Sequence, residues 1–117
     1  MKSTDFLDQI VSVVIDRPLG SRHPQHDFVY PVNYGYLSGV ILPDGDGEPL
    51  DAYVLGVETP VAQFTGRCIA VIQRTDDCDD KLVLAPEGQT FTDEEIVALT
   101  AFQERFFDSG VLRLPSL

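Results

Sequence analysis

Residues 30–57, which read YPVNYGYLSGVILPDGDGEPLDAYVLGV, place an aromatic segment, an acidic turn and an apolar segment one after another. The aromatic residues of 28–36 predict an extended strand, and 40–42 continue in the same manner. The glycines, aspartates and proline of DGDGEP are typical of a turn. Residues 52–57 then predict a buried strand, so the stretch indicates extended segments joined by a carboxylate-rich turn.

The segments on either side of this stretch predict more strands and one helix. Short apolar runs predict further strands at 10–15, 67–73 and 81–85. Thr92 and Glu95 form a capping box that predicts the start of a helix, and Gly110 is a suitable end for it. The apolar face of this helix carries side chains at helical spacing, namely Ile96, Leu99, Phe102 and Phe106.

The order of these elements predicts the fold class. No linker or repeat divides the 117 residues, so the chain predicts a single domain, residues 1–117. Short strands with glycine and proline turns, followed by one helix, indicate a mainly β (α+β) protein. The expected architecture is a small closed barrel with the C-terminal helix packed on one side.

The formal net charge of −11 argues against a nucleic-acid partner, because such binding depends on Lys and Arg meeting phosphates. An oligonucleotide-binding barrel is disfavoured for the same reason. No apolar run is long enough to span a membrane, and MKSTDFLDQI has no signal-peptide core. Cys68 and Cys78 form no CxxC pair, which favours reduced thiols over a disulfide scaffold. We therefore expect a soluble, cytoplasmic protein with no membrane partner.

Two clusters of carboxylates are the strongest chemical signal in the chain. They contain Asp44, Asp46, Glu48 and Asp51 in DGDGEPLD, and Asp76, Asp77, Asp79 and Asp80 in TDDCDDKL. Carboxylates this dense repel one another unless they face water or hold cations, and Mg²⁺ prefers oxygen ligands. A lone acidic turn is usually only solvated. Two clusters at strand ends, which a barrel can bring to one rim, favour a metal site instead, although the EF-hand spacing is absent.

Several side chains near these clusters suit a phosphate ligand. Lys81 follows the second cluster and offers a compact cation to a phosphate oxygen. Tyr30 and Tyr34 share one strand parity, and a phenol can donate a hydrogen bond without adding charge. Arg22 offers a fork of donors that suits a phosphate. The sequence therefore predicts that the metal site binds a phosphate compound.

Other site chemistries have weaker support. His23 and His26 stand at i and i+3, but no third nitrogen or sulfur ligand lies nearby, so a surface loop is the favoured interpretation. No GxSxG nucleophile elbow, P-loop or GxGxxG fingerprint occurs.

The three motifs YPVNYGY, DGDGEPLD and TDDCDDKLV, in this order, are similar to the core of the family I (soluble) inorganic pyrophosphatases. The resemblance covers about residues 13–86 and extends more faintly to the helix. It implies an OB-like five-stranded barrel with helical cover. It also implies Mg²⁺-dependent hydrolysis of pyrophosphate to two phosphates by a metal-activated water, with Mn²⁺ as a substitute metal. A cytoplasmic homo-oligomer is the usual state that the resemblance implies.

The resemblance also implies roles for individual residues. Metal ligands would be Asp16, Asp44, Asp46, Asp51, Asp76 and Asp79, with Asp80 an alternative to Asp79. A second register of the first motif uses Asp46, Glu48 and Asp51. Asp46 would be the general base. Substrate contacts would come from Arg22, Tyr30 and Lys81.

The chain departs from the family pattern at two points. The early hairpin with its substrate-binding lysine is missing. Where the family has a Tyr-Lys pair on its C-terminal helix, FQERFF offers Phe106 and Phe107, or Arg105. These departures support two alternatives: hydrolysis of another phosphate ester or nucleotide, contacted by the loop around His23 and His26, or binding of a phosphate compound without catalysis.

Overall fold

The computed structural model describes residues 2–43, 45, 47–75 and 79–114. A 3₁₀ helix (Ser3–Phe6) precedes the first strand. The strands and the helix that follow are β1 (Ile10–Arg17), β2 (Asn33–Tyr36), β3 (Asp51–Val54), β4 (Gln63–Arg74), β5 (Lys81–Ala85), α1 (Asp93–Glu104) and β6 (Ser109–Leu112). None of the helices in this part of the chain is long and apolar enough to cross a membrane.

Five strands close into a barrel in the order β1-β2-β3-β5-β4, with β4 returning to β1. The β3–β5 pair is parallel and the other pairs are antiparallel. Closure is possible because β4 has 12 residues: its first part pairs with β1, its middle with β5 and its last four residues with β6. The predicted mainly β barrel with one helix is confirmed.

The strands bury two separate cores on their two faces. Strand β1 alternates regularly, so that Val11, Val13 and Ile15 point into the barrel. Strand β5 is buried along its whole length: Leu82 and Leu84 fill the barrel interior, and Val83 packs outside it under α1. The helix therefore covers one outer face of the barrel.

The capping box predicted for α1 is present. The Glu95 N–H donates to Thr92 Oγ1 at 3.1 Å, and the Thr92 N–H donates to Glu95 Oε1 at 2.9 Å. Ile96 is fully buried, as its place on the apolar face predicts. The helix nevertheless ends at Glu104, well before Gly110, and Phe106 lies beyond it.

Strand β6 was not predicted. Ser109 and Gly110 have low strand propensity. They pair because the last residues of β4 extend beyond the part that pairs with β1, so their backbone groups are available to another strand. The predicted strand 81–85 is correct, whereas only Asn33–Tyr36 of 28–36 belongs to a strand, Val29 forms an isolated bridge with Arg22, and 40–42 forms no strand.

Asn33 holds the long loop before β2 in place. Its Oδ1 accepts from the backbone N–H groups of Leu19 at 2.9 Å and Val61 at 3.3 Å. Its Nδ2 donates to the carbonyl of Thr59 at 3.0 Å. A fully buried amide that is satisfied in this way fixes two loops against one strand, which positions the segment 18–32 over the outer face of the barrel.

Gly35→Ala is expected to destabilise the barrel by about 1–3 kcal/mol or more, because the added methyl would collide with the backbone carbonyl of Val14 on the paired strand. Urea unfolding measures the change. Gly110→Ala is the matched control, since nothing lies near its added methyl. Equal stability of the two variants would contradict the close approach of β1 and β2.

Candidate active site

A cavity of about 440 Å³ opens on the outer face of the barrel beside α1. Its charged lining consists of Asp16, Arg17, Asp51, Arg74, Asp79 and Lys81. Its ring lining consists of His23, His26, Phe28, Tyr30, Tyr34, Phe106 and Phe107. Tyr34 packs in the outer core with α1, so the carboxylates meet on the barrel wall and not in its interior.

Lys81 is the centre of the charged lining. Because β3 and β5 are parallel with Asp51 opposite Lys81, both side chains point to the same face. Lys81 Nζ lies 2.7 Å from Asp51 Oδ2 and 2.9 Å from Asp79 Oδ1. Only 2% of Lys81 is exposed. A buried cation thus joins carboxylates from both predicted acidic clusters.

Arg74, at the end of β4, is the second buried cation. Its Nε and Nη2 donate to the two carboxylate oxygens of Glu104 at 3.1 and 2.8 Å, and its Nη1 donates to Asp79 at 3.1 Å. Burial opposes the charge of Arg74, but the hydrogen bonds and charge of Glu104 outweigh it and raise the pKa of Arg74. Burial raises the pKa of Asp79 in spite of Lys81 and Arg74.

Side chains at the end of α1 form a network of hydrogen bonds with tyrosines of the barrel next to this charged lining. Tyr53 Oη donates to Glu104 Oε2 at 2.6 Å and accepts from Gln103 Nε2 at 2.8 Å. Tyr30 Oη donates to Gln103 Oε1 at 3.2 Å. Burial, with the charge of Glu104 next, raises the pKa of Tyr53 well above its ordinary value. The phenols therefore stay protonated as donors.

Sequence reasoning missed Gln103 and Glu104. The available signal was their spacing: Thr100, Gln103 and Glu104 fall on the buried face that Ile96 begins, where polar side chains need partners.

Asp16 and Arg17 reach the cavity through an irregularity in β1. The register between β1 and β2 shifts between Ile15 and Arg17, which is a bulge at Asp16. A bulge changes the direction in which side chains point, and bulges are common next to active sites. Burial raises the pKa of Asp16, and nearby Asp51 adds to the rise. Arg17 forms no ion pair with any carboxylate among the residues that the structure describes.

The predicted site residues fall into three groups: those that line the cavity, those that lie outside its lining, and those outside the described residues. Those that line the cavity are Asp16, Tyr30, Asp51, Asp79 and Lys81. Arg22 lies outside the cavity lining, where its exposed guanidinium pairs with Asp27 at 2.7 Å. Asp44, Asp46 and Asp76 lie outside the described residues. Asp80 accepts from Ser3 Oγ at 2.6 Å and does not line the cavity.

The described residues contain no complete set of metal ligands. Among 2–43, 45, 47–75 and 79–114, no three Asp, Glu, His or Cys side chains converge as metal ligands. Asp16, Asp51 and Asp79 nevertheless line one cavity and offer the carboxylate oxygens that hard divalent cations prefer. The donor chemistry therefore fits a metal such as Mg²⁺.

Glu104→Gln is expected to lower the free energy of unfolding by about 3 kcal/mol, because it removes one partner of a buried ion pair and leaves Arg74 incompletely paired. Denaturant unfolding measures the loss. Asp93→Asn, which breaks the exposed pair with Arg113, is the control and should cost at most about 1 kcal/mol. Similar small losses in both variants would contradict the role given to Glu104.

Comparison with known proteins identifies the family. The sequence matches the model of the Pyrophosphatase family, inorganic pyrophosphatase, over residues 11–109, whereas no curated protein matches it. Among solved structures it is similar to the inorganic pyrophosphatase of Ehrlichia chaffeensis, with 19% identity, TM-score 0.71 and coverage of 92% of this chain and 88% of that one. The enzyme of Helicobacter pylori gives 17% identity, TM-score 0.66 and coverage of 97% and 89%.

The inorganic pyrophosphatase of Coxiella burnetii gives 19% identity, TM-score 0.65 and coverage of 90% and 84%. At these identities the solved structures establish the fold, and the barrel is therefore the pyrophosphatase-type, OB-like one that the resemblance implied. The family model spans most of the sequence. This chain therefore belongs to the inorganic pyrophosphatase family, and its enzyme class is that of an inorganic diphosphatase.

Proposed function

We propose that the chain hydrolyses inorganic pyrophosphate to two phosphates in this cavity, with magnesium bound and water as the nucleophile. The observation that carries the proposal is Lys81, a buried cation between Asp51 and Asp79 in the cavity of a pyrophosphatase-family barrel. A fixed cation beside carboxylates suits a ligand that brings both phosphate oxygens and metal ions.

The metal ligands that we assign are carboxylates throughout. They are Asp16, Asp51 and Asp79, together with Asp44, Asp46 and Asp76 of the acidic turns. When bound, Mg²⁺ (or Mn²⁺ as a substitute) supplies positive charge and makes a nearby water more acidic. The net charge of −11 supports this assignment, because an anionic protein needs cations before it attracts a polyanion.

The protein's own residues have separate tasks in the reaction. Asp46 takes a proton from the attacking water as general base. The water oxygen bonds to one phosphorus, and the bond from that phosphorus to the bridging oxygen breaks. Lys81 and Arg17 neutralise charge on the transferred and leaving phosphates. In the proposed complex the Tyr30 phenol, which donates to Gln103 in the structure, donates instead to a phosphate oxygen without adding charge.

The wider setting of the enzyme stays a prediction from the resemblance. We expect a cytoplasmic homo-oligomer that takes pyrophosphate as its partner molecule and binds no nucleic acid. Size-exclusion chromatography with light scattering would measure the oligomeric state.

Purified protein is expected to release phosphate from pyrophosphate when Mg²⁺ is present. Activity should disappear with excess EDTA and return with excess Mg²⁺, because charge neutralisation depends on the metal. A colorimetric phosphate assay measures this. Asp46→Asn should lower the rate by about 10²-fold or more with an unchanged circular dichroism spectrum.

Glu94→Gln is the matched control for Asp46→Asn, since it removes one carboxylate from the exposed surface of α1. It should keep full activity. No phosphate release by the unaltered protein would refute the proposed function, and an active Asp46→Asn variant would refute only the assignment of the base.

Arg17, at the end of β1, and Arg22, in the loop that follows, should differ in their effect on hydrolysis. Arg17 lines the cavity without an ion pair among the described residues, whereas Arg22 is exposed and paired with Asp27. Arg17→Gln is therefore expected to lower kcat/KM about tenfold or more. Arg22→Gln should lower it less. The reverse order, measured in the same phosphate assay, would restore Arg22 as the phosphate ligand that the resemblance implied.

A further inference from the structure

The cavity has two chemically different parts. The charged lining forms the floor of the cavity, the charged floor, which consists of Asp16, Arg17, Asp51, Arg74, Asp79 and Lys81. The aromatic wall consists of His23, His26, Phe28, Phe106 and Phe107. The floor suits phosphates and their metals. The wall offers ring faces, which pyrophosphate cannot use because its whole surface is anionic oxygen.

The aromatic wall is built by two distant segments that converge. The ring of His26, from the loop before β2, stacks on that of Phe106, from the turn after α1, at 5.6 Å and 19°. Phe28 continues the stack, with its ring 5.9 Å from His26 and nearly parallel to it. His26, Phe28 and Phe106 therefore form one cluster of nearly parallel rings in the cavity lining.

Much of this wall remains open to solvent. Phe106 is 53% exposed and Phe107 is 36% exposed, although both line the cavity. Leaving large apolar side chains in water is unfavourable, and a ligand with a planar ring that packs against their exposed parts would relieve that cost. The cavity volume of about 440 Å³ lies in the range of about 300–1,000 Å³ that holds drug-sized ligands.

The floor and the wall are contiguous. The Arg74 guanidinium carbon lies 3.5 Å from the centre of the Phe107 ring, while the same guanidinium binds Asp79, which also contacts Lys81. One molecule that carries a diphosphate at one end and a planar ring at the other can therefore touch both parts at once.

We propose that the cavity takes nucleoside diphosphates, with the nucleobase stacked on the aromatic wall and the diphosphate on the charged floor. The hydrolytic step rests on the proposed function. A water oxygen bonds to the terminal phosphorus and the bond from that phosphorus to the bridging oxygen breaks. The products are orthophosphate and a nucleoside monophosphate, which keeps the bridging oxygen, and the proton of the water passes to the base.

ADP and Mg²⁺ provide a direct test by saturation-transfer NMR on the whole protein. The adenine H2 and H8 protons are expected to receive saturation. The signal should fall about tenfold in Phe106→Leu, which keeps apolar volume but removes a stacking face. Val97→Ala is the matched control, because Val97 is equally exposed on α1 and does not line this cavity.

Kinetics supply a second readout that uses the same variants. Tripolyphosphate carries the same type of anhydride bond as ADP, two against one, but no nucleoside, so a change between variants in the ratio of kcat/KM for ADP to that for tripolyphosphate reports the contribution of the nucleoside. We expect this ratio to fall about tenfold in Phe106→Leu and to stay constant in Val97→Ala.

The outcomes separate this inference from the proposed function. Saturation of adenine that depends on Phe106 supports the nucleotide site even if the protein releases no phosphate from pyrophosphate. Absence of that saturation, or equal saturation in Phe106→Leu and the unaltered protein, overturns the nucleotide site even if pyrophosphate is hydrolysed.

Discussion

The pairing of buried cations with carboxylates at the charged floor is the constraint on which the rest of the structure depends. Lys81 and Arg74 are almost completely buried, and an unpaired charge at either position would be costly. Asp51, Asp79 and Glu104 supply the compensation. These partners come from β3, the segment before β5 and α1, so that the charges can be satisfied only when three distant parts of the chain have met.

This dependence explains the polar end of α1. The helix packs Ile96 and Leu99 against the barrel as an ordinary amphipathic helix would, but its last turn carries Gln103 and Glu104 into a buried network with Tyr53 and Arg74. Apolar side chains at those two positions would leave Arg74 without its bidentate partner. The helix is therefore part of the site and not only a cover for the barrel.

Sequence reasoning predicted the fold, and five of its candidate metal and substrate residues line the cavity, namely Asp16, Tyr30, Asp51, Asp79 and Lys81. The strand at 81–85, the cap at Thr92 and the family motifs were visible because each depends on local propensity or short spacing. The roles of Arg17 and Glu104 were not visible, because they depend on a bulge in β1 and on which face of the helix meets β4. Strand β6 was missed for the same reason: its pairing is decided by an edge that another strand leaves open, and local sequence carries no sign of it.

The parallel pairing of β3 with β5 has a consequence for how the protein matures. Asp51 lies beside Lys81 only when β3 and β5, which are separated along the chain by β4, pair in parallel. Closing such long loops is slow compared with forming local structure. A barrel in which β3 and β5 have not yet paired consequently lacks the Asp51–Lys81 contact, so that the appearance of this contact during refolding would report long-range strand pairing and not the formation of any one segment.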